Sequence, residues 1–281
     1  MKRVFVTGAF DDARSPQIRF LHEASRIGPV TLLLWPDSAV SALRGTEPKM
    51  SVAERLYYFE ALRYVDKVEV AAANLNPDRL NVELGADSAV WAVYPAGEGS
   101  ASEAASEAKR SWCASRGVEL REISAAAREG FPYAPPLIPA SRAAGWKRVV
   151  VTGCYDWLHT GHLRFFEEAS EYGELNVVIG SDANVRLLKG EGHPLFTEAE
   201  RSYVAGAFRN VARCLVSTGT GWLDAEPEIV ALQADRYVVN EDGDKSEKRE
   251  YCEKNGIEYV VLKRTPKEGL PRRSSTDLRG Y

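Results

Sequence analysis

The sequence predicts an α/β protein built from two similar doubly wound domains, each with a parallel sheet. In the C-terminal half, short aliphatic and β-branched runs alternate with segments of helical spacing that are 9–14 residues long; RVVVT at residues 148–152 is the first such run. Runs of this kind separated by helices are typical of βαβ units, whose strands are buried on both faces. An internal repeat extends the same prediction to the N-terminal half.

Three blocks of sequence recur in the same order within the chain. The block pairs are residues 2–25 with 147–170, 54–68 with 200–214, and 109–120 with 248–259. They share 12 of 24, six of 15 and five of 12 positions, at offsets of 145, 146 and 139. Because the order is kept while the offset changes little, we interpret the chain as a tandem duplication.

The two copies are separated by a proline-rich segment. Residues 130–145, GFPYAPPLIPASRAAG, contain four prolines and little charge, a composition typical of semi-rigid linkers. We therefore predict one domain over residues 1–129, a linker over 130–145 and a second domain over 146–281.

Composition narrows the class of protein. The chain of 281 residues is 44% hydrophobic and 27% charged, which is typical of globular proteins and excludes disordered and fibrous classes. No run approaches the ~20 apolar residues of a membrane span, and the start MKRVFVTGAF has no signal-peptide core. A net charge of −4 gives no basis for nucleic-acid binding, and four separated cysteines suggest reduced thiols. We expect a cytoplasmic protein with no membrane span and no nucleic-acid partner.

The most informative stretch is TGCYDWLHTGH at residues 152–162, between the first strand and first helix of the second domain. Ligands bind at the carboxyl ends of parallel strands, and a helix N-terminus there accepts phosphate. His159 and His162 could donate hydrogen bonds to a phosphoryl group during transfer, and Gly161 permits close approach. A zinc pair and incidental surface histidines are the alternative interpretations.

GCYDWLHTGH resembles the G-x-F/Y-D-x-x-H-x-G-H signature of the cytidylyltransferase branch of the nucleotidyltransferases. Further resembling elements follow in family order: RLLKG at 186–190, which resembles a loop whose lysine contacts phosphate, ER at 200–201, NEDGD at 240–244, and RTP with SSTD within 264–277. The resemblance covers the whole second domain and, more weakly, the first. It implies a Rossmann-like nucleotidyltransferase fold for both domains.

The resemblance also implies an enzyme that joins the nucleoside monophosphate of an NTP to a phosphorylated alcohol or sugar and releases pyrophosphate. It assigns catalytic roles to His159, His162, Lys189 and Arg264. Nucleotide contacts are expected from Thr152, Gly153, Cys154, Tyr155, Asp156, Gly161, Asn240, Asp242, Ser274, Ser275 and Thr276. The acceptor is expected to contact Arg186, Arg201, Arg209 and His193. Mg²⁺ is expected to enter with the triphosphate, with Asp156 as the candidate protein ligand.

The nucleotide and the acceptor are not fixed by these motifs. CTP is the first expectation, although NEDGD lacks the tryptophan that the family has in this loop. The same motifs also resemble adenylyltransferases that act on a sugar phosphate of the heptose 1-phosphate type. A protein that binds nucleotide without turnover is the alternative from a different functional class.

The first domain has lost the motif residues. Arg14, Ser15, Pro16 and Gln17 stand where the second domain has His159 to His162. We therefore predict that the first domain is catalytically inactive and acts as an intramolecular partner in a pseudo-dimer. This two-domain layout resembles that of the ethanolamine-phosphate cytidylyltransferases, and further homo-oligomerisation is left open.

Overall fold

The computed structural model describes residues 2–84, 88–139, 145–275 and 278. The chain divides into two compact units, Met1–Gly130 and Phe131–Tyr281. Each unit contains one five-stranded sheet in which every strand pair is parallel. The prediction of two α/β units with parallel sheets is therefore confirmed.

The first unit has the strand order β3-β2-β1-β4-β5. Its elements along the chain are β1 (Arg3–Gly8), α1 (Ser15–Ser25), β2 (Val30–Leu34), α2 (Asp37–Arg44), α3 (Val52–Glu60), β3 (Lys67–Val70), β4 (Ala89–Val93), α4 (Glu107–Arg116) and β5 (Glu119–Glu122).

The second unit has the strand order β10-β9-β6-β7-β8, which is the same order as in the first unit when it is followed from the other edge. Its elements are β6 (Arg148–Gly153), α5 (Thr160–Ser170), β7 (Glu174–Ile179), α6 (Asp182–Lys189), α7 (Glu198–Gly206), β8 (Val211–Val216), α8 (Glu226–Leu232), β9 (Arg236–Asn240), α9 (Ser246–Asn255) and β10 (Glu258–Leu262).

The central strand β6 lies between β7 and β9. Val149, Val150 and Val151 on this strand have no exposed surface, as expected for a parallel strand that is covered on both faces. Since its neighbours run in the same direction, the carboxyl ends of β6, β7 and β9 meet at one edge of the sheet. The segment that links β6 to α5 starts at this edge, which fixes the position of the histidine motif.

The segment RLLKG, which the resemblance placed in a loop, instead ends a helix. Ser181 caps α6, since its Oγ accepts a hydrogen bond from Asn184 N at 3.2 Å. The helix continues to Lys189, and Gly190 stops it with a φ of 85°. Lys189 is therefore presented from a helix C-terminus rather than from a free loop.

The proline-rich segment packs against the second unit over residues 131–139. The Tyr133 hydroxyl accepts a hydrogen bond from Cys214 N at 2.8 Å. Arg213 Nε donates to Pro136 O at 3.1 Å, and Arg148 Nη2 donates to Pro139 O at 2.6 Å. This part of the predicted linker therefore belongs to the second unit, whereas residues 140–144 lie outside the described residues.

Within the described ranges, no helix combines the length and apolarity needed to cross a membrane. The four cysteines, Cys113, Cys154, Cys214 and Cys252, are all free thiols.

Candidate active site

A cavity of about 450 Å³ opens at the carboxyl ends of β6 and β9, beside the N-terminus of α5. It brings together most of the residues that the motifs singled out. These are Thr152, Gly153, Cys154, Tyr155, Asp156, His159, Gly161, His162, Lys189, His193, Asn240, Asp242, Arg264 and Ser275.

The two histidines form a stacked pair at the start of α5. Their ring centroids are 3.9 Å apart, with an angle of 26° between the planes. His159 is the N-cap residue of α5, and its Nδ1 accepts a hydrogen bond from Gly161 N at 3.1 Å. A Cβ on Gly161 would lie 3.0 Å from His159 Cε1, so a larger residue would press on the ring. A side chain at position 161 would therefore require the His159 ring to shift by a few tenths of an ångström.

His162 is held in its neutral form by its surroundings. Burial lowers the pKa of its imidazole well below 6.5, and His159, Arg264 and Lys189 lower the pKa further. The Nδ1 atom is buried and has no hydrogen-bond partner among the described residues. A neutral ring of this kind can hydrogen-bond an incoming ligand without first losing a proton.

Tyr155 shapes the turn that precedes the histidines. It adopts a φ of 49°, in the left-handed region, as does Phe10 at the equivalent position of the first unit. Its ring covers Gly153, where a Cβ would come within 2.8 Å of the ring. Thr152 Oγ1 and the Tyr237 hydroxyl are hydrogen-bonded at 2.6 Å. These contacts fix the end of β6 against β9.

Asp156 positions the segment between α6 and α7. This residue is 5% exposed, and its Oδ1 accepts hydrogen bonds from Leu195 N at 2.7 Å and Phe196 N at 3.0 Å. His193 Nδ1 lies 3.9 Å from Asp156 Oδ2. Among the residues that the structure describes, no group of three or more His, Cys, Asp or Glu side chains could hold a metal ion. The zinc interpretation of the two histidines, which needs three or four ligands, therefore has no support.

Arg264 and Asn240 face the cavity from the other side. Arg264 Nη1 donates to Asp242 Oδ2 at 2.8 Å, and its Nη2 donates to Arg273 O at 3.2 Å. Asn240 Oδ1 is buried and has no partner in the described part of the chain. The ion pair keeps the guanidinium in place, and the amide oxygen is available to a ligand.

The C-terminal serine motif lies only in part within the described residues. Ser275 lines the cavity, and its Oγ donates to Trp157 O at 3.0 Å. Ser274 is not part of the cavity wall, and Thr276 lies outside the described residues.

Arg201 does not contact the acceptor space, contrary to the expectation from the sequence. It is 1% exposed, and its guanidinium donates four hydrogen bonds inside the unit. The acceptors are Cys154 O, Gly180 O, Phe196 O and Asp182 Oδ1, at 2.7–2.9 Å. Arg201 therefore links the ends of β6 and β7 to the start of α6. Its side chain is buried, and these four acceptors hold its guanidinium inside the unit.

Two other arginines also lie outside the cavity wall. Arg186 and Arg209 are both exposed, and neither lines the cavity. Their predicted acceptor contacts therefore find no support in the geometry.

Lys248 on α9 lines the cavity, although no motif pointed to it. It is 9% exposed, and its Nζ lies 5.4 Å from the centroid of the Tyr237 ring. The third repeat block could have found it, since that block aligns Lys248 with Lys109, which is completely buried. A buried lysine that both copies share is a sequence signal in its own right, and it lies outside the nucleotidyltransferase motifs.

The corresponding place in the first unit is filled by the chain itself. Glu103 Oε1 accepts a hydrogen bond from Ala9 N at 2.8 Å, in the turn after β1. A Cβ on Gly8 would lie 2.5 Å from the same oxygen. Gln17, which stands where His162 stands in the second unit, accepts a hydrogen bond from Ala13 N at 2.7 Å. A carboxylate at this turn would repel phosphate, which supports the prediction that the first unit is inactive.

Comparisons with known proteins find relatives of the same kind as the motif resembles. Residues 150–280 match the family model described as cytidylyltransferase-like. The bifunctional protein HldE of Geobacter metallireducens is 46% identical over 72 residues, and HldE of Pelobacter propionicus is 44% identical over the same length. In both cases the match covers 25% of this chain and 15% of the relative, so the chain spans only a small part of these relatives.

Among solved structures, the lipopolysaccharide core biosynthesis protein from Thermoplasma volcanium GSS1 aligns with 44% of this chain and 100% of its own, at 24% identity and a TM-score of 0.37. The family match over residues 150–280 and the stacked histidines of the motif lead to the same assignment. This part of the chain is similar to the cytidylyltransferase-like family.

Proposed function

We propose that the second unit catalyses nucleotidyl transfer from an NTP to a phosphorylated small molecule. The observation that carries this proposal is the stacked pair of His159 and His162 at the N-terminus of α5, inside a cavity that also contains Lys189 and Arg264. A helix N-terminus attracts phosphate, and imidazole N–H groups beside cations can donate hydrogen bonds to the phosphoryl oxygens as charge develops on them.

The proposed reaction needs no protein nucleophile. An oxygen of the acceptor's phosphate attacks the α-phosphorus in line, and the bond to the β-phosphate breaks as pyrophosphate leaves. Cys154 does not take part as a thiolate, because burial raises the pKa of its thiol. The residues of the cavity therefore act by positioning and by stabilising charge.

Arg264 is proposed to change partners when nucleotide binds. It is paired with Asp242, whose side chain is 53% exposed. A triphosphate carries more charge than one carboxylate and can compete for the guanidinium. The release of Asp242 would leave its carboxylate close to the ribose and base.

CTP is the first proposed nucleotide, and ATP is the second. The unpartnered Asn240 Oδ1 can accept a hydrogen bond from an exocyclic amino group, which cytosine and adenine both carry. This acceptor favours either of these bases over uracil, which has no such group. An adenylyltransferase that acts on a sugar phosphate of the heptose 1-phosphate type is therefore the second candidate.

Mg²⁺ is proposed to enter with the nucleotide. Asp156 Oδ1 accepts hydrogen bonds from two backbone N–H groups and His193 Nδ1 lies 3.9 Å from its Oδ2, so most ligands of the ion would be water and phosphate oxygens. Mg²⁺ usually combines one or two carboxylates with waters and substrate phosphates. When bound in this way, it would neutralise charge on the triphosphate.

Pyrophosphate release tests the proposal directly. The full chain is incubated with CTP, ATP, GTP or UTP, each with a panel of phosphorylated alcohols and sugars, and pyrophosphate is measured. We expect release that requires both an acceptor and one preferred nucleotide, CTP or ATP. Tight nucleotide binding without release in any combination would contradict the proposal and support a non-catalytic nucleotide-binding protein.

A further inference from the structure

The turn after β1 in the first unit holds a carboxylate where the second unit has its open cavity. Glu103 Oε1 accepts a hydrogen bond from Ala9 N at 2.8 Å, and the side chain of Glu103 is only 10% exposed. A Cβ on Gly8 would lie 2.5 Å from the same oxygen. The equivalent residues of the second unit, Gly153 and Cys154, line the cavity. Glu103 therefore fills the place that corresponds to an open part of the second unit.

A long connection between β4 and α4 delivers this carboxylate to the turn. Residues 94–106 join β4 to α4, whereas the equivalent connection between β9 and α9 consists of residues 241–245 only. Ser100 holds the side chain from the other end, since its Oγ donates to Glu103 Oε2 at 2.7 Å. Glu103 N donates to Ser100 O at 2.9 Å, which fixes the backbone as well. Both oxygens of the carboxylate are thus held by donors of the first unit.

Arg44 is the cation that faces this carboxylate. Helices α2 and α6 are offset by 145 residues, so that Arg44 aligns with Lys189 in the last turn of each helix. Arg44 Nη2 lies 3.7 Å from Glu103 Oε1, and its Nη1 donates to Asp11 Oδ1 at 2.6 Å. Asp11 aligns with Asp156 at the same offset. The first unit therefore keeps a cation and an aspartate at this edge of the sheet, although both histidines are lost.

A carboxylate held in this way makes the contacts that one phosphate group would make. A backbone N–H, a hydroxyl group and a guanidinium are donors for both kinds of anion, and the charge of the acceptor strengthens each hydrogen bond. Burying a carboxylate is costly unless such donors replace its water. The donors would in turn lose free energy if they were left without an acceptor. The anion-binding groups of the first unit are therefore preserved and are filled from within.

We propose that the first unit retains a binding site for one phosphate group and that Glu103 occupies this site as an internal ligand. The donors of the site are Ala9 N, Ser100 Oγ and Arg44. In the wild-type protein the tethered carboxylate excludes free phosphate, because a group of the same chain has a high effective concentration. Removal of the carboxylate opens the site. This inference goes beyond the proposed function, since it does not depend on turnover in the second unit.

The amide resonance of Ala9 tests this site separately from the second unit, because its N–H donates to Glu103 Oε1. Two-dimensional NMR of the isotope-labelled full chain would follow this resonance during titration with orthophosphate. In Glu103→Ala we expect a saturable shift with an affinity in the millimolar range, and in the wild type no shift at the same concentrations. Acetate should also shift the resonance of the variant, since it supplies the missing carboxylate.

The source of the phosphate group is distinguished by titration with CTP and ATP in place of orthophosphate. A shift of the Ala9 resonance in Glu103→Ala at lower concentrations of nucleotide than of orthophosphate would identify a nucleotide as the ligand of the opened site. The reverse order would identify free phosphate. Either order supports the retained site.

Thermal unfolding of the full chain gives a second readout. Glu103→Ala removes the carboxylate that accepts from Ala9 N and Ser100 Oγ, so we expect the melting temperature of the first unit to fall by about 5 °C or more. Orthophosphate should recover part of this loss, because a ligand that binds only the folded state stabilises it. Glu103→Gln keeps the size of the side chain and secures the test if Glu103→Ala does not fold. It should respond to phosphate at higher concentrations than Glu103→Ala does.

Arg44 supplies the test of the electrostatic part of the site. Adding Arg44→Met to Glu103→Ala should weaken phosphate binding by about tenfold or more, since hydrogen bonds to charged groups contribute enough for this change. Arg116→Met is the matched control, because Arg116 is exposed and also lies in the last turn of a helix, α4. Glu107→Ala, at an exposed position near Glu103, should leave the Ala9 resonance as insensitive to phosphate as in the wild type.

The outcomes separate this inference from the proposed function. An Ala9 resonance that does not respond to orthophosphate, CTP or ATP in Glu103→Ala and Glu103→Gln would overturn the retained site, even where the second unit releases pyrophosphate. Equal phosphate affinity with and without Arg44→Met would overturn it as well. If the Ala9 resonance responds as expected but no nucleotide supports pyrophosphate release, the retained site stands and the proposed reaction fails.

Discussion

His162 is surrounded by cations, yet it carries no charge at neutral pH, because burial and the charges of Arg264 and Lys189 favour the neutral ring. At a site proposed to bind phosphate, the positive charges beside the ring are those of Arg264 and Lys189. The imidazole then supplies a directional hydrogen bond. The half-buried imidazole therefore adds a hydrogen-bonding group beside Arg264 and Lys189 without adding to the repulsion between their charges.

The neutral histidine predicts a pH dependence of stability. The pKa of His162 is lower in the folded protein than the 6.5 of the unfolded chain, so the unfolded chain binds more protons below that pH. The contribution to stability is present above pH 6.5 and is lost as the pH falls toward the depressed pKa. We expect the free energy of unfolding to decrease between about pH 7 and 5, and His162→Gln to reduce this slope. Urea denaturation at several pH values measures it, and equal slopes in both proteins would contradict the prediction.

Arg201 gives a second prediction at the level of one residue. Arg201→Met would leave three backbone carbonyls and Asp182 without their buried donor, so we expect a loss of about 3–5 kcal/mol in the free energy of unfolding. Arg209→Ala, at an exposed position, should change it by less than about 0.5 kcal/mol. If Arg201→Met kept its stability but raised the KM for the acceptor, the substrate role expected from the motif would be right.

At the level of elements, the proline-rich segment packs against the second unit, and these contacts hold it in place. Tyr133 packs against Gly206, where a Cβ would come within 2.4 Å of the ring, and its hydroxyl accepts from Cys214 N. The carbonyls of the segment also satisfy arginines of β6 and β8. Residues 131–139 therefore cover one part of the second unit's core.

This packing predicts the effect of truncating one side chain. Tyr133→Ala removes the ring and leaves Cys214 N without its acceptor, so we expect a loss of about 2–4 kcal/mol in the free energy of unfolding of the second unit. Leu137→Ala is the matched control, because that side chain is 92% exposed. Equal stability of both variants, measured by chemical denaturation, would show that the segment is only a spacer.

Strands and helices were predictable to different degrees. The buried runs around residues 148–152 and 235–240 are β-branched and short, so their strands follow from the sequence. The resemblance places RLLKG in a loop, although residues 186–189 of this segment form the end of α6. Its own signals were present, since Ser181 precedes Asp182 and an amphipathic turn.

The site residues also differ in how far the sequence predicts their positions, because some positions depend on contacts between distant segments. The motif correctly brought His159, His162 and Arg264 to one cavity, because the carboxyl ends of parallel strands meet at one edge. Arg201 belongs to the same sequence pattern, but its burial depends on acceptors from three separate segments, which no local pattern reveals. Lys248 was missed for the opposite reason, since it lies in the cavity but in no motif.

At the scale of the whole molecule, two units with one strand order differ at the same sheet edge. In the second unit the edge opens into the cavity, whereas in the first Glu103 bonds the turn after β1 and pairs at 3.7 Å with Arg44. The first unit also carries Gln17 in place of the second histidine. The central claim is that nucleotidyl transfer takes place only in the second unit.

The most direct test of this claim measures the rate of pyrophosphate release. The full chain carries a single substitution at one of the two equivalent positions, His162 or Gln17. His162→Ala should lower kcat by about 10²-fold or more, since it removes a hydrogen bond to the transferring phosphoryl group, while Gln17→Ala should leave kcat within about twofold. Both variants should keep the melting temperature of the wild type within a few degrees. Comparable losses of kcat in both variants, or an unchanged rate in His162→Ala, would contradict the assignment of catalysis to the second unit alone.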